Sequence, residues 1–399
     1  ALSIMDMKAL WASIKREILA VVNNPWDIAL FIVMPVIWCL LIAGLFGDGL
    51  VRDVPVGIVN LDNKPESIDL EVKLDALPSV ELKSFNSPLA ADEAIKRADI
   101  YAYIVIPHNW LDRGSKPTAS SLELYFPKTL YAIATTLELD IKQALLAFQT
   151  EKFQRLAQTA GLNSEQTKRA TALVSVHSVT LGNIAFNFQA YILPTLIPGI
   201  LHLGLALAVA SRFLVEWRQK TVNNWISTAK GSVFIAFLGK VIPWWILYTL
   251  YGFLYIAIMT GFLGWWIQGS LLLWLIGLAL FMAVMCTLPV FLVGIVMPFG
   301  WVIVLSCTVG YIAPIFPYTG FSYPLDSMAQ PIQWLAMMFP LTHYFQFQGE
   351  QWILDAPLRS SLWTLGKLLI FGLLWFGLGY LFFKKRVADE CALERKERK

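Results

Sequence analysis

The chain has 399 residues, of which 57% are hydrophobic and only 15% charged, with a formal net charge of +3. About a quarter of an ordinary soluble domain is charged, so this composition excludes a wholly soluble protein, and the small positive balance gives no argument for a nucleic-acid partner. Residues 241–325 contain no Asp, Glu, Lys or Arg, and a bilayer, which a helix of about 20 apolar residues crosses, is the environment that accepts such a run.

In chain order, residues 1–27 come first. Met7, Leu10, Trp11, Ile14, Ile18, Val21 and Val22 recur at helical spacing, with Lys8, Lys15, Arg16 and Glu17 between them. The pattern predicts an amphipathic helix lying in the membrane interface; a short soluble helix is the alternative. Residues 28–47, charge-free between Asp27 and Asp48, are the first crossing. No small-residue cleavage site follows this run, so it is expected to anchor the chain rather than act as a signal peptide.

Residues 48–183 read as a mixed α/β domain between the first and second crossings. Strands are expected at 54–60, 101–107 and 121–126, with an edge strand of alternating polarity at 80–85. Helices are expected over 66–77, over 88–98 with Ser87 as N-cap, and over 131–160, and another starts at Asn163–Ser164. No internal repeat is evident, which gives no support to an inverted-repeat transporter.

Five further crossings occupy 188–383. The first, 188–211, carries Pro194 and Pro198, which remove backbone donors and can kink it; the kink is either static or transmits movement. His202 lies in its middle. An intramembrane ionisable residue is a candidate for the substrate path, against the plainer reading of a neutral, hydrogen-bonded His. A loop over 212–240 follows, then crossings at 241–263 and 271–292, a tight turn at Gly294–Pro298 and a crossing at 299–317. The segment 318–361 holds Pro324, Pro331 and Pro340 among aromatic and Met residues. Short helices dipping into the outer leaflet or capping the bundle fit it, either as a plug or as an outer gate with Pro324, Pro340 and His343 as candidates. The last crossing runs from near Leu362 to 383, and residues 384–399 form a basic tail.

The count is six crossings, so the fold class is a polytopic α-helical membrane protein with a mixed α/β extracytoplasmic domain. Lys and Arg concentrate in the N-terminal segment, the 212–240 loop and the tail, which places both termini in the cytoplasm. Cys39, Cys286 and Cys307 fall in crossings and Cys391 in the tail, so disulfides do not support the outer domain. His108, His177 and His343 lack metal-ligand spacing, and neither HExxH nor CxxC occurs, so no metal site is expected. No G-x-x-x-x-G-K-[ST] occurs either, which excludes nucleotide binding by a P-loop.

EWRQKTVNNWISTAKGSVFIAFLGK (216–240) is the one sizeable cytoplasmic loop. It reads as a short amphipathic helix from which Glu216, Arg218 and Lys220 project into water for a partner to grip, or else as ordinary charge flanking of membrane helices.

Together these segments resemble the permease subunit of the ABC type-two exporter family, in its long-ectodomain, drug-exporter-like branch. LWASIKREILAVVNNPWDIALFIVMPVI resembles the family's interfacial elbow helix and first crossing. VPVGIVNLDNKPES and AIKRADIYAYIVIPHNW resemble its ectodomain, the 216–240 stretch its coupling helix, and GFSYPLDSMAQPIQWLAMMFPLTHYF its element before the last crossing. Lys220 stands where the family has Gly, Trp217 where it has a basic residue, and Asn187–Phe188 where "NP" is usual. The resemblance implies that Glu216, Trp217, Arg218, Gln219, Lys220 and Thr221 couple to a separate ABC ATPase, with Trp11, Lys15 and Arg16 on the elbow. It implies a second permease copy or paralogue, contact with membrane lipids, and a periplasmic adaptor with an outer-membrane channel, in a bacterial inner membrane. This chain would bind no cofactor, ATP and Mg sitting on the partner ATPase. The implied function is outward movement of an amphiphilic or hydrophobic substrate, a drug-like molecule or lipid. One alternative is a mechanotransmission protein that moves its outer domain without substrate crossing. The other is a membrane enzyme of lipid or glycan metabolism, for which Asp326, His343, Glu350 and Asp355 are the only candidates.

Overall fold

A computed structural model describes residues 4–45, 52–97, 99–108, 122–125, 131–159, 188–321 and 323–397. The helix expected from Asn163–Ser164, and His177, lie outside the described residues. The chain divides into two compact units, one from Asp48–Thr180 and Ala185–Phe188, the other from the remainder.

The smaller unit is built on four strands, β1 (Val54–Asn60), β2 (Val80–Ser84), β3 (Ala102–Ile106) and β4 (Glu123–Tyr125), in the order β2-β1-β3-β4. β1 runs parallel to β2 and β3, and β4 is antiparallel to β3. Parallel neighbours need a crossover, which α3 (Pro65–Asp75) and α4 (Pro88–Lys96) supply. The Ser87 hydroxyl accepts from the Ala90 amide at 3.2 Å, the N-cap its position predicts. Val54, Val56, Ile58 and Ile104 pack with Leu70, Leu74 and three residues of α5 (Tyr131–Thr159): Leu137, Ile141 and Phe148. Val59, Tyr103 and Val105, on the opposite face, pack against Ala91 and Ala94 of α4. β2 is an edge strand with alternating exposure, as its polarity predicts.

The larger unit begins with α1 (Ile4–Val22) and contains six helices long and apolar enough to cross a membrane. These are α2 (Pro25–Leu45), α6 (Phe188–Arg218), α8 (Val233–Gly261), α9 (Leu271–Val296), α10 (Trp301–Ile312, continued as 3₁₀ turns to Tyr318) and α13 (Leu358–Glu397). The short α7 (Val222–Thr228) joins α6 to α8. Helix packing here has to satisfy every backbone group internally, and the prolines show how. Pro35 leaves the Phe31 carbonyl without its usual i+4 donor, within a π-helical stretch (Ile28–Val33). The Tyr248 hydroxyl of α8 donates to that carbonyl at 2.9 Å, and Tyr251 donates to the Ile32 carbonyl at 3.0 Å. Pro198 likewise frees the Pro194 carbonyl, which accepts from the Gln348 side-chain amide. Both prolines stay inside one continuous α6.

Two boundaries differ from expectation. α6 continues through Arg218 and α8 begins at Val233, so Arg212 and Lys240 lie within helices rather than in a 212–240 loop. α13 runs on through the basic tail as a 40-residue helix, about 60 Å long by its rise per residue and so about twice the hydrocarbon thickness. The 318–361 segment contains short helices, as expected: α11 (Gln330–Met337) and α12 (Pro340–Trp352), each with proline in its first turn. Pro331 and Pro340, which make this stretch look irregular, are helix starters.

Candidate functional site: an ion-pair hub at the basic end of the bundle

Six ionised side chains converge where α1, α2, α6 and α8 meet. Arg212 of α6 donates from Nε to Glu17 Oε1 at 2.7 Å and from Nη1 to Asp27 Oδ2 at 2.6 Å. Lys240 of α8 donates to Glu17 Oε2 at 3.0 Å, Glu216 Oε1 at 2.8 Å and the Arg212 carbonyl at 3.0 Å. Arg16 of α1 forms a two-pronged pair with Glu216, at 2.7 and 2.8 Å. The Thr221 hydroxyl adds a bond to Glu216 Oε2 at 2.6 Å and the Trp244 indole one to Glu17 Oε1 at 3.2 Å.

Three cations meet three carboxylates, so the cluster is formally neutral. Lys240 is 1% exposed and Glu17 2%. Charges this deep are tolerable only when paired and fully hydrogen-bonded, and each of them here is. For Glu17, burial alone would push its carboxyl up, but Lys240 and Arg212 beside it outweigh that and hold its pKa below the ordinary 4.5. Glycine allows the approach of α1: a Cβ on Gly239 would lie 2.2 Å from Ser13 Cβ and 3.1 Å from the Ser13 backbone carbon.

α7 is held just beside the hub. Its Trp225, 2% exposed, packs edge-on to Trp217 and Phe383 and tilted against Phe213. The Trp225 indole donates to the Ala236 carbonyl at 3.3 Å, and the Lys240 ammonium lies 5.2 Å from its ring centre. Glu394, near the end of α13 and 3% exposed, accepts from the Val222 and Asn223 amides at 2.8 and 2.9 Å, capping the first turn of α7. Lys220 sits at φ +55°, a left-handed position that glycine occupies at least cost.

The structure separates the residues singled out in the sequence. Glu216 does not project into water: it is 2% exposed, because its carboxylate neutralises Arg16 and Lys240. Trp217 is buried in the aromatic layer, whereas Arg218, Gln219 and Lys220 are exposed and Thr221 half-buried. Arg218 faces the Trp301 ring at 5.9 Å. On α1, Arg16 joins the hub while Trp11 and Lys15 face outward. Pro324 is exposed, and Pro340 and His343 are buried in α12. The His343 Nε2 donates to the Met337 carbonyl at 3.0 Å, and burial lowers its pKa. His202 is buried, with Nδ1 donating to the Pro198 carbonyl at 3.2 Å and the ring against Phe281; Nε2 has no hydrogen-bond partner among the described residues. Of the candidates for an enzyme site, Glu350 is held by hydrogen bonds from Ser361 and Thr364 at 2.9 Å, and Asp326 and Asp355 are exposed. Among the described residues no group of three His, Cys, Asp or Glu could hold a metal ion.

Sequence reasoning about sites missed Glu17, Asp27, Arg212, Lys240 and Glu394. The signal was present: Asp27, Arg212 and Lys240 each abut a long uncharged run. Taken as boundaries, they mark where apolar helices end; taken as charges of opposite sign brought to one end of a bundle, they predict pairing.

A family model described as "ABC-2 family transporter protein" matches residues 25–381. No curated protein matches the chain.

Proposed function

The chain belongs to the ABC-2 transporter family, and on that premise we propose that it is the membrane subunit of an ATP-driven exporter that moves an amphiphilic or hydrophobic substrate outward across a bacterial inner membrane. Permeases of this family rely on partner ATPases, consistent with a sequence that has no P-loop. The observation that carries the reading is the hub. A surface made of Arg218, Gln219, Lys220, Asn224 and Ser227 is exposed, and directly beneath it Glu216 is bonded to α1 and α8. The ATPase grips the exposed residues. Its movement on ATP binding passes through α7, which Trp225 and Glu394 hold in place, to Glu216 and so to α1, α6 and α8 together. Buried ion pairs suit this role because they hold a defined geometry over several helices at once.

The Lys and Arg bias supports a cytoplasmic position for this end, and the 54–152 domain, which follows the first crossing in the sequence, is the extracytoplasmic part that an adaptor and an outer-membrane channel would meet. α2 and the 301–318 span leave most side chains exposed, giving surface for a second permease copy as well as for lipid. The apolar bundle suits an amphiphilic or hydrophobic cargo.

The test is transport of a labelled lipophilic cation or lipid into proteoliposomes carrying the permease and its ATPase. ATP-dependent flux is expected, reduced severalfold by Arg218→Ala with the complex still assembled. ATP-dependent movement of the 54–152 domain without flux of any probe would overturn the export reading in favour of mechanotransmission.

A further inference from the structure

α1, α2 and α8 enclose an apolar groove of about 460 Å³ beside the hub. Its walls include Trp11, Ile14 and Ile18 of α1, Ile32 of α2, and Pro243 and Leu250 of α8. Among the described residues, the only ionisable side chain lining it is that of Glu17. Both Glu17 oxygens are occupied by Arg212, Lys240 and the Trp244 indole, so the groove offers a polar ligand nothing. It opens outward past Trp11, 66% exposed, and Leu250, 53% exposed.

A second observation identifies the occupant. Lys8 and Lys15 are exposed on α1 and form no ion pair among the described residues. They lie three and four residues from Trp11, hence on its face of the helix. Ile14, Ile18 and Val21 sit on one flank of that face, and Lys8 and Lys15 on the other. An apolar slot flanked by an aromatic ring and unpaired ammonium groups matches a molecule with a hydrocarbon chain and an anionic head.

We infer that this groove binds an acyl chain of an anionic phospholipid from the adjoining leaflet, with its phosphate on Lys8 and Lys15. Glu17 lines the groove and belongs to the hub, so an occupied groove supports the face of α1 that holds the ion pairs. The site stands independently of the transport reading, because it needs only the permease and a bilayer lipid.

The test uses the full chain purified in mild detergent with equimolar phosphatidylglycerol and phosphatidylcholine, counting retained lipids by native mass spectrometry. Wild type retains phosphatidylglycerol preferentially. Lys8→Gln and Lys15→Gln each lower that preference about fivefold, as expected for one ammonium group near an anionic surface. Ile18→Trp, at a position already 44% exposed, fills the slot and abolishes retention of both lipids above bulk. Equal retention of the two lipids by wild type overturns the inference, as does unchanged phosphatidylglycerol retention in the folded Lys variants. Disulfide formation between Ile18→Cys in two copies would also overturn it, since a second copy would then cover the groove.

Discussion

Lys240→Met is the most informative perturbation of the hub. Methionine keeps the length and apolar stem but removes three donors, two of which reach carboxylates at 2.8 and 3.0 Å. Each charge-assisted bond contributes about 1.5–3 kcal/mol. The three-to-three charge balance also becomes two-to-three, leaving Glu17 and Glu216 to share Arg16 and Arg212 in a site where the lost ammonium was 1% exposed. Breaking a buried pair from one side costs about 3–5 kcal/mol, and the bond count gives the same size. Equilibrium unfolding of the purified permease in mixed micelles should therefore show a loss of about 3–5 kcal/mol. Lys240→Met with Glu216→Gln restores charge balance, so the double variant should lose less than the sum of the singles by at least about 1 kcal/mol. A single-variant loss below about 1 kcal/mol, or strict additivity in the double, would refute the claim that these charges act as one buried unit.

Other outcomes follow from neighbouring groups. The Glu17 pKa is lowered on folding, so its contribution to stability is full above about pH 4.5 and fades as pH falls below that; Glu17→Gln should flatten the acid limb of a stability–pH curve, and an unchanged limb would count against the pairing. Tyr248→Phe leaves the Phe31 carbonyl without its hydroxyl donor and should cost about 1–3 kcal/mol in unfolding experiments, whereas Tyr251→Phe, half-exposed to its surroundings, should cost less. Lys220→Gly relieves a left-handed backbone at φ +55° and should raise stability by about 1 kcal/mol, read as a higher unfolding midpoint; a lower midpoint would mean the lysine side chain outweighs the strain.

Much of the fold is legible in the sequence, because both of its parts announce themselves by period and charge. The uncharged run from Val241 forces membrane crossings, and strands at 54–60 and 101–107 are nearly continuous apolar runs, as parallel strands buried on both faces must be. The ends of helices are less legible. Arg212 and Lys240 read as loop residues because a lone charge in an apolar helix is costly, and only their distant partners remove that cost. Glu216 reads as a surface charge for the same reason: nothing within 20 residues on its N-terminal side reveals that Arg16 reaches it. Pro340 reads as a gate candidate, whereas in the structure it starts α12, where the first turn has no intrahelical hydrogen bond for it to lose.

The separation of the hub's partners along the chain has a consequence for biogenesis. Glu17 and Arg212 are 195 residues apart, and Glu17 and Lys240 are 223. At about 5–20 residues per second, a ribosome that has made Glu17 and Asp27 needs about 9–39 s more before Arg212, the first of their cations, exists. Throughout that interval two carboxylates destined for burial have no cation, so they stay hydrated and α1 cannot seat. The N-terminal helix is thus the first part of the bundle to be synthesised and among the last that can be finished. A chain arrested before Arg212 carries two carboxylates without their partners at the membrane surface, a charge signature by which an incomplete product differs from a complete one.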